Sequence, residues 1–335
     1  MTSPARRVIH TGQAMVDLVL EVGTLPERGG NVMADSATRY AGGAVTIVVA
    51  AARSGGQAVL AGAVGTGPNG DLVRDVLAAE GVEASAPPVA DLDTGECVVL
   101  VEPSAERTFV TTRAAERRIT RDSLATSGPA DGDLVCVSGY TLLPPTRDPL
   151  LGWLEDLPQG VQVVLDPGAP FTTFEPAVVE RVLARTTVWT SNAAEARDLT
   201  GGPATGPDRS GAAEGDDEDG ADLVALAEDV AARLAPGAVV VVRDGPRGCV
   251  VRAEQTSTLV PGFPQTPVDT NGAGDTHTGV LCAGAADGMP WVEAARRANA
   301  AAAVKVTRRG PATAPTAAEV DAFLAARDRE LVAGG

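Results

Sequence analysis

The sequence predicts an α/β fold around a largely parallel sheet. Short apolar runs alternate with alanine-rich helical stretches over most of the chain, the pattern of successive βαβ units. The runs are brief and end at Gly, Asp, Asn or a polar turn, and the helical stretches mostly follow a strand directly. Strands are expected at Val59 to Val64, Leu134 to Ser138, Val161 to Leu165, Val188 to Thr190 and Val239 to Val242. Helices are expected at Val45 to Ser54, Gly70 to Glu80, Ala221 to Leu234, Asp275 to Ala286, Trp291 to Val306 and Thr316 to Val332. Two stretches break the rhythm, Gly12 to Tyr40 and Gly95 to Thr112, and both read as β structure able to form a small separate sheet. The segment 201–220 is rich in glycine and carboxylates and poor in apolar residues, which predicts a mobile surface loop.

Composition narrows the function classes. A chain of 335 residues has room for one large core or two modest ones. None of its apolar runs approaches the roughly eighteen residues of a membrane-spanning helix, and Met1 to Arg7 leads straight into Val8-Ile9 without a signal-peptide pattern. A cytoplasmic protein is expected. Cys97, Cys136, Cys249 and Cys282 form no CxxC pair and fit neither a disulfide framework nor a zinc site. The net charge of −17 argues against nucleic acid and membrane as partners. It does not forbid a nucleotide pocket, where backbone amides and magnesium supply local positive potential.

The chemistry is concentrated in Asp269-Thr270-Asn271-Gly272-Ala273-Gly274-Asp275-Thr276, a glycine turn opening into a helix of small residues. The amides of Gly272, Ala273 and Gly274 at a helix N-terminus can converge on a phosphoryl group. Asp275 in the first turn is then placed to take a proton from an attacking hydroxyl. An aspartate at a helix start also serves as a cap, so on this segment alone both readings stand.

The segment resembles the Asp-Thr-x-Gly-Ala-Gly-Asp signature of the ribokinase (PfkB) family of sugar kinases, with every position from 269 to 275 matching. The resemblance runs nearly end to end and implies a three-layer αβα fold with a mostly parallel sheet, as a single domain. It also implies a β lid formed by about 12–41 and 93–118. It assigns Asp275 as catalytic base and Gly272, Ala273 and Gly274 as the anion hole. Gly42-Gly43 is similar to the family's glycine pair at the sugar site, and Asp17 sits like its hydroxyl-binding aspartate. Asn192-Ala193-Ala194-Glu195 is similar to the Asn-x-x-Glu motif that holds magnesium and phosphate, largely through water. Gly245 and Gly248 stand where the family turns against the nucleotide, and Asn299 where members contact adenine. Asp269, Asn271, Val306 and Gly310 match the neighbourhood of a monovalent cation. ATP, Mg2+ and K+ are thereby implied, and a homodimer through the lid is the expected assembly.

Three departures bear on the site. Ile47 stands where many relatives have an asparagine that grips the sugar, Arg243-Asp244-Gly245 replaces Thr-Leu-Gly, and Gly67 replaces an aspartate. Arg107, in the second lid stretch, either compensates for the missing amide or is a solvated strand arginine. Gly65-Thr66-Gly67-Pro68-Asn69-Gly70 also fits the GxGxxG of dinucleotide-binding folds, but no second strand ending in an acid follows at the expected distance. P-loop chemistry is excluded, because the chain's only lysine, Lys305, follows no glycine-rich loop. The acceptor stays open between a sugar, a sugar phosphate, a nucleoside and another alcohol. A nucleoside kinase of the same fold and a catalytically silent binder are the alternatives.

Overall fold

The computed structural model describes residues 6–104, 106–201 and 220–334. Among them, nine strands form one sheet in the order Thr256–Pro261, Gly248–Ala253, Val239–Arg243, Val188–Asn192, Gln162–Asp166, Leu134–Ser138, Arg7–His10, Gln57–Leu60, Glu83–Ala84. Every pairing from Val239–Arg243 to Glu83–Ala84 is parallel, and the two that complete the other edge are antiparallel. Side chains alternate between the faces, as a strand requires. Val240 and Val242 join Trp189, Phe171 and Leu226 in one core, while Val239 and Val241 join Val188, Leu281 and Ala298 in the other. Ala44–Arg53, Ala273–Ala286 and Trp291–Lys305 contribute to the second core, and Arg147–Glu155, Pro176–Leu183 and Gly220–Ala231 to the first. The expected three layers are there.

The two irregular stretches form a four-stranded sheet in the order Ala34–Gly43, Ala14–Val22, Glu96–Val101, Arg107–Thr111. Its central pair is parallel and its outer pairs antiparallel. Strand Ala34–Gly43 passes directly into helix Ala44–Arg53 at Gly43, so the small sheet is anchored to the main body at that junction. Two differences from the sequence expectation stand out. The strand expected to reach Val64 stops at Leu60, because the chain then turns and the Gly65 amide bonds the Thr94 hydroxyl at 2.9 Å. The hairpin of Gly248–Ala253 and Thr256–Pro261 was not anticipated. Of the acidic loop expected over 201–220, residues 202–219 lie outside the described residues.

Candidate functional site

Helix Ala273–Ala286 begins at a left-handed Gly272 with φ 77°, and no side chain caps it. A Cβ on Gly272 would lie 2.6 Å from the Pro311 carbonyl oxygen, so only glycine makes this turn. The Ala273 amide donates to the Thr270 carbonyl at 3.2 Å, whereas the amides of Gly272, Gly274 and Asp275 find no acceptor among the described residues. The open donors are thus those of 272, 274 and 275 rather than the run 272 to 274. Helix Pro68–Ala79, which follows the GxGxxG match, is the opposite case. There the Asp93 carboxylate accepts from the Asn69 and Gly70 amides at 3.2 and 2.9 Å, closing that N-terminus from within. One helix start is self-satisfied; the other presents free donors and a positive dipole end to whatever enters.

Two half-buried carboxylates flank the open N-terminus. Burial, reinforced by the Asp166 charge, raises the pKa of Asp275 to about 7 against the opposing pull of Arg243 and Lys305. Asp17, paired with Tyr40 and Cys97 across the small sheet, is also raised to about 7, by burial first and then by the charge of Asp275. No donor among the described residues hydrogen-bonds either carboxylate. A Cβ on Gly42 would lie 2.3 Å from Asp17 Oδ2, so the glycine leaves the carboxylate its place. Gly42→Ala is expected to displace that carboxylate. Gly43 is exposed at the start of helix Ala44–Arg53. Ile47 lies on that helix and is buried.

A second cluster forms where three adjacent strands end. Arg243 donates to the Thr190 hydroxyl at 2.7 Å, the Thr278 hydroxyl at 3.1 Å and Asp166 Oδ2 at 3.3 Å. One of its terminal nitrogens lies 3.6 Å from where a Gly274 Cβ would stand, so the guanidinium lies beside the first turn of helix Ala273–Ala286. Asn192 and Glu195 close a capping box, Oδ1 accepting from the Glu195 amide at 2.8 Å and Oε2 from the Asn192 amide at 3.0 Å. Burial and then the Asp166 charge raise Glu195 to about 7, with Arg243 opposing. Asp166 was not among the residues the sequence pointed to, and Arg243 only as a departure from a motif. Among the described residues no group of three or more His, Cys, Asp or Glu side chains could hold a metal. Asp166 and Glu195 nevertheless suit magnesium, which takes one or two carboxylates and keeps phosphate and water for the rest of its shell.

The remaining expected positions divide. Gly245 turns at φ 52° with open space beside it, while Gly248 packs against the backbone of Val260 and Gly262. Asn299 is buried; its Nδ2 donates to the Val260 and Pro261 carbonyls at 3.1 and 3.2 Å, and its Oδ1 lies 3.1 Å from His277 Nε2. Its side-chain amide fastens the edge hairpin to the helices.

In the expected cation neighbourhood, Val306 and Asp269 are bonded within the chain. The Val306 carbonyl accepts from the Val268 and Asp269 amides at 2.7 and 3.0 Å. The Asp269 carboxylate accepts from the Asn271 and Gly310 amides at 2.8 Å each. The Asp269 carbonyl accepts from Lys305 Nζ at 2.9 Å. Burial lowers Lys305 to about 8, with Asp269 and Asp275 opposing and Arg107 assisting, which places the Arg107 charge near the same spot. Val306 and Asp269, two of the four residues expected around the cation, thus already accept hydrogen bonds from the chain itself.

The chain thus joins a three-layer αβα body and a small second sheet with a carboxylate beside an open helix N-terminus. The profile of the pfkB family carbohydrate kinases matches residues 5–318, and the chain belongs to that family, whose members are phosphotransferases. It is 32% identical over 314 residues to the uncharacterized sugar kinase YegV of Escherichia coli strain K12, covering 93% of this chain and 92% of that protein. Its fold is similar to that of Arabidopsis thaliana ribokinase complexed with ribose and ATP, with TM-score 0.78, 22% identity and coverage of 96% and 99% of the two chains. It is also similar to the Burkholderia thailandensis nucleoside kinase in complex with inosine, with TM-score 0.71, 21% identity and coverage of 95% and 96%. Among the described residues no helix is long and apolar enough to cross a membrane.

Proposed function

We propose that the chain transfers the γ-phosphoryl group of MgATP to a hydroxyl of a small sugar or sugar derivative. The observation that carries this reading is the pair of half-buried carboxylates, Asp17 and Asp275, which no donor of the described chain satisfies and which flank an uncapped helix N-terminus. Hydroxyl groups supply the donors these carboxylates lack. Asp17 orients the acceptor from the small sheet, which acts as a lid that excludes water. Asp275 takes the proton of the attacking hydroxyl as its oxygen bonds the γ-phosphorus, and the bond to the β-phosphate oxygen breaks to release ADP. The free amides and Arg243 receive the charge on the transferring group. Asp166 and Glu195 would hold magnesium, which would neutralise the phosphates.

The test is ADP release from MgATP across pentoses, hexoses, sugar phosphates and nucleosides, with Asp275→Asn in parallel. A signal with one acceptor, lost in the variant, supports the reading and names the acceptor class; a nucleoside as that acceptor selects the nucleoside-kinase alternative. ATP binding without turnover on any acceptor selects the silent binder. With the acceptor in hand, Asp17→Ala is expected to raise the acceptor KM by about a hundredfold while kcat at saturation falls less. A variant whose KM stays at the wild-type value removes Asp17 from acceptor binding.

A further inference from the structure

We propose that the ammonium of Lys305 is a built-in monovalent cation, covalently supplied where the family resemblance leads to an expected potassium ion. Its consequence for turnover rests on the kinase reading above; its structural part does not.

Lys305 is the only lysine in a chain with 27 basic residues, and it is fully buried. A buried ammonium is costly unless oxygens and opposite charge surround it. Both are present. Lys305 is the last residue of helix Trp291–Lys305, where the dipole favours a cation. Its Nζ donates to the Asp269 carbonyl at 2.9 Å, and the charges of Asp269 and Asp275 face it. A lysine provides a compact point charge here, whereas a planar guanidinium would need a wider slot.

The oxygens of Val306 and Asp269 expected to hold potassium are already engaged. The Val306 carbonyl and both Asp269 carboxylate oxygens accept amide hydrogens from this chain, between 2.7 and 3.0 Å. An added potassium ion would have to displace those bonds and stand beside an ammonium. The bonds from Lys305 and through Asp269 instead tie the turn leading to Gly272 onto the segment 306–310. That tie fixes the direction in which the Gly274 and Asp275 amides point. The same unit charge is thus delivered without an ion to bind or lose.

The experiment compares wild type and Lys305→Ala in potassium chloride and in tetramethylammonium chloride at equal ionic strength. Thermal melting without substrates is read first, and turnover on the acceptor found above second. The wild-type protein should melt at the same temperature in both salts and turn over equally in both. Lys305→Ala should melt lower in tetramethylammonium, recover saturably with potassium or ammonium ions, and lose about tenfold or more of its turnover until one of those ions is added. A wild-type melting temperature that climbs saturably with potassium would overturn the proposal. So would a variant equally damaged in every salt, which would leave Lys305 a packing residue. If Lys305→Ala does not fold in any salt, Lys305→Met, which keeps the apolar stem, takes its place. The wild-type comparison can overturn the proposal without any variant. Because melting needs no acceptor, failure of the kinase reading leaves this result readable.

Discussion

Asp275→Asn is expected to lower kcat by about 10²- to 10⁴-fold, with ATP affinity retained in titration calorimetry. The pH profile carries a second signature. Burial holds the Asp275 pKa at about 7, and a base must be unprotonated, so wild-type kcat should rise with pH and level off above about 7. The variant should lose that limb. Stability moves the opposite way. A carboxyl whose folded pKa is raised binds its proton more tightly in the folded state, so ionising it costs stability as pH climbs from the ordinary carboxylate range through the raised value. Asp275→Asn should therefore melt above wild type at pH 8, with the gap closing as the solution is acidified. Full turnover in the variant at pH 8 would remove Asp275 from the role of base.

Arg243→Ala carries the other large effect. The guanidinium lies beside the positive end of helix Ala273–Ala286, two positive features converging where an anion is to be held. Its loss should lower kcat by about 10²- to 10³-fold, while the acceptor KM changes little. Arg243 also opposes the raised pKa values of Asp275 and Glu195, so the limb of the pH profile near 7 should move to higher pH in the variant. Arg243→Lys keeps the charge without the planar fork and should recover only part of the rate. Steady-state kinetics across pH measure both effects. A kcat within about twofold of wild type and an unmoved limb would make Arg243 a structural residue only.

What the sequence disclosed follows from how local each feature is. The turn at Asp269 to Asp275 is a contiguous run whose glycines and helix start are fixed by neighbouring residues, and its place in the fold was legible. So were five of the seven parallel strands, because apolar runs ending at turns have few other uses; Arg7–His10 and Glu83–Ala84 are too short and too mixed to stand out as such runs. The hairpin of Gly248–Ala253 and Thr256–Pro261 was hidden because Glu254 and Gln255 make its turn at positive φ without a glycine or asparagine. Its second strand also begins with three polar residues, Thr256, Ser257 and Thr258. Asn299 was placed on the right helix, but helical position alone does not say that its amide is held by the hairpin. The Asp166–Arg243 pair joins residues 77 apart in sequence. They meet because the strands ending at Asp166, Asn192 and Arg243 lie side by side. Lys305 was informative at first only as the lysine no P-loop could use.

Lys305 has one further consequence, for the chemistry of the protein's exterior. The single lysine is fully buried, and apart from two histidines every other basic side chain of the chain is an arginine. No lysine amine on the folded surface is open to acetylation or to isopeptide attachment of a second protein.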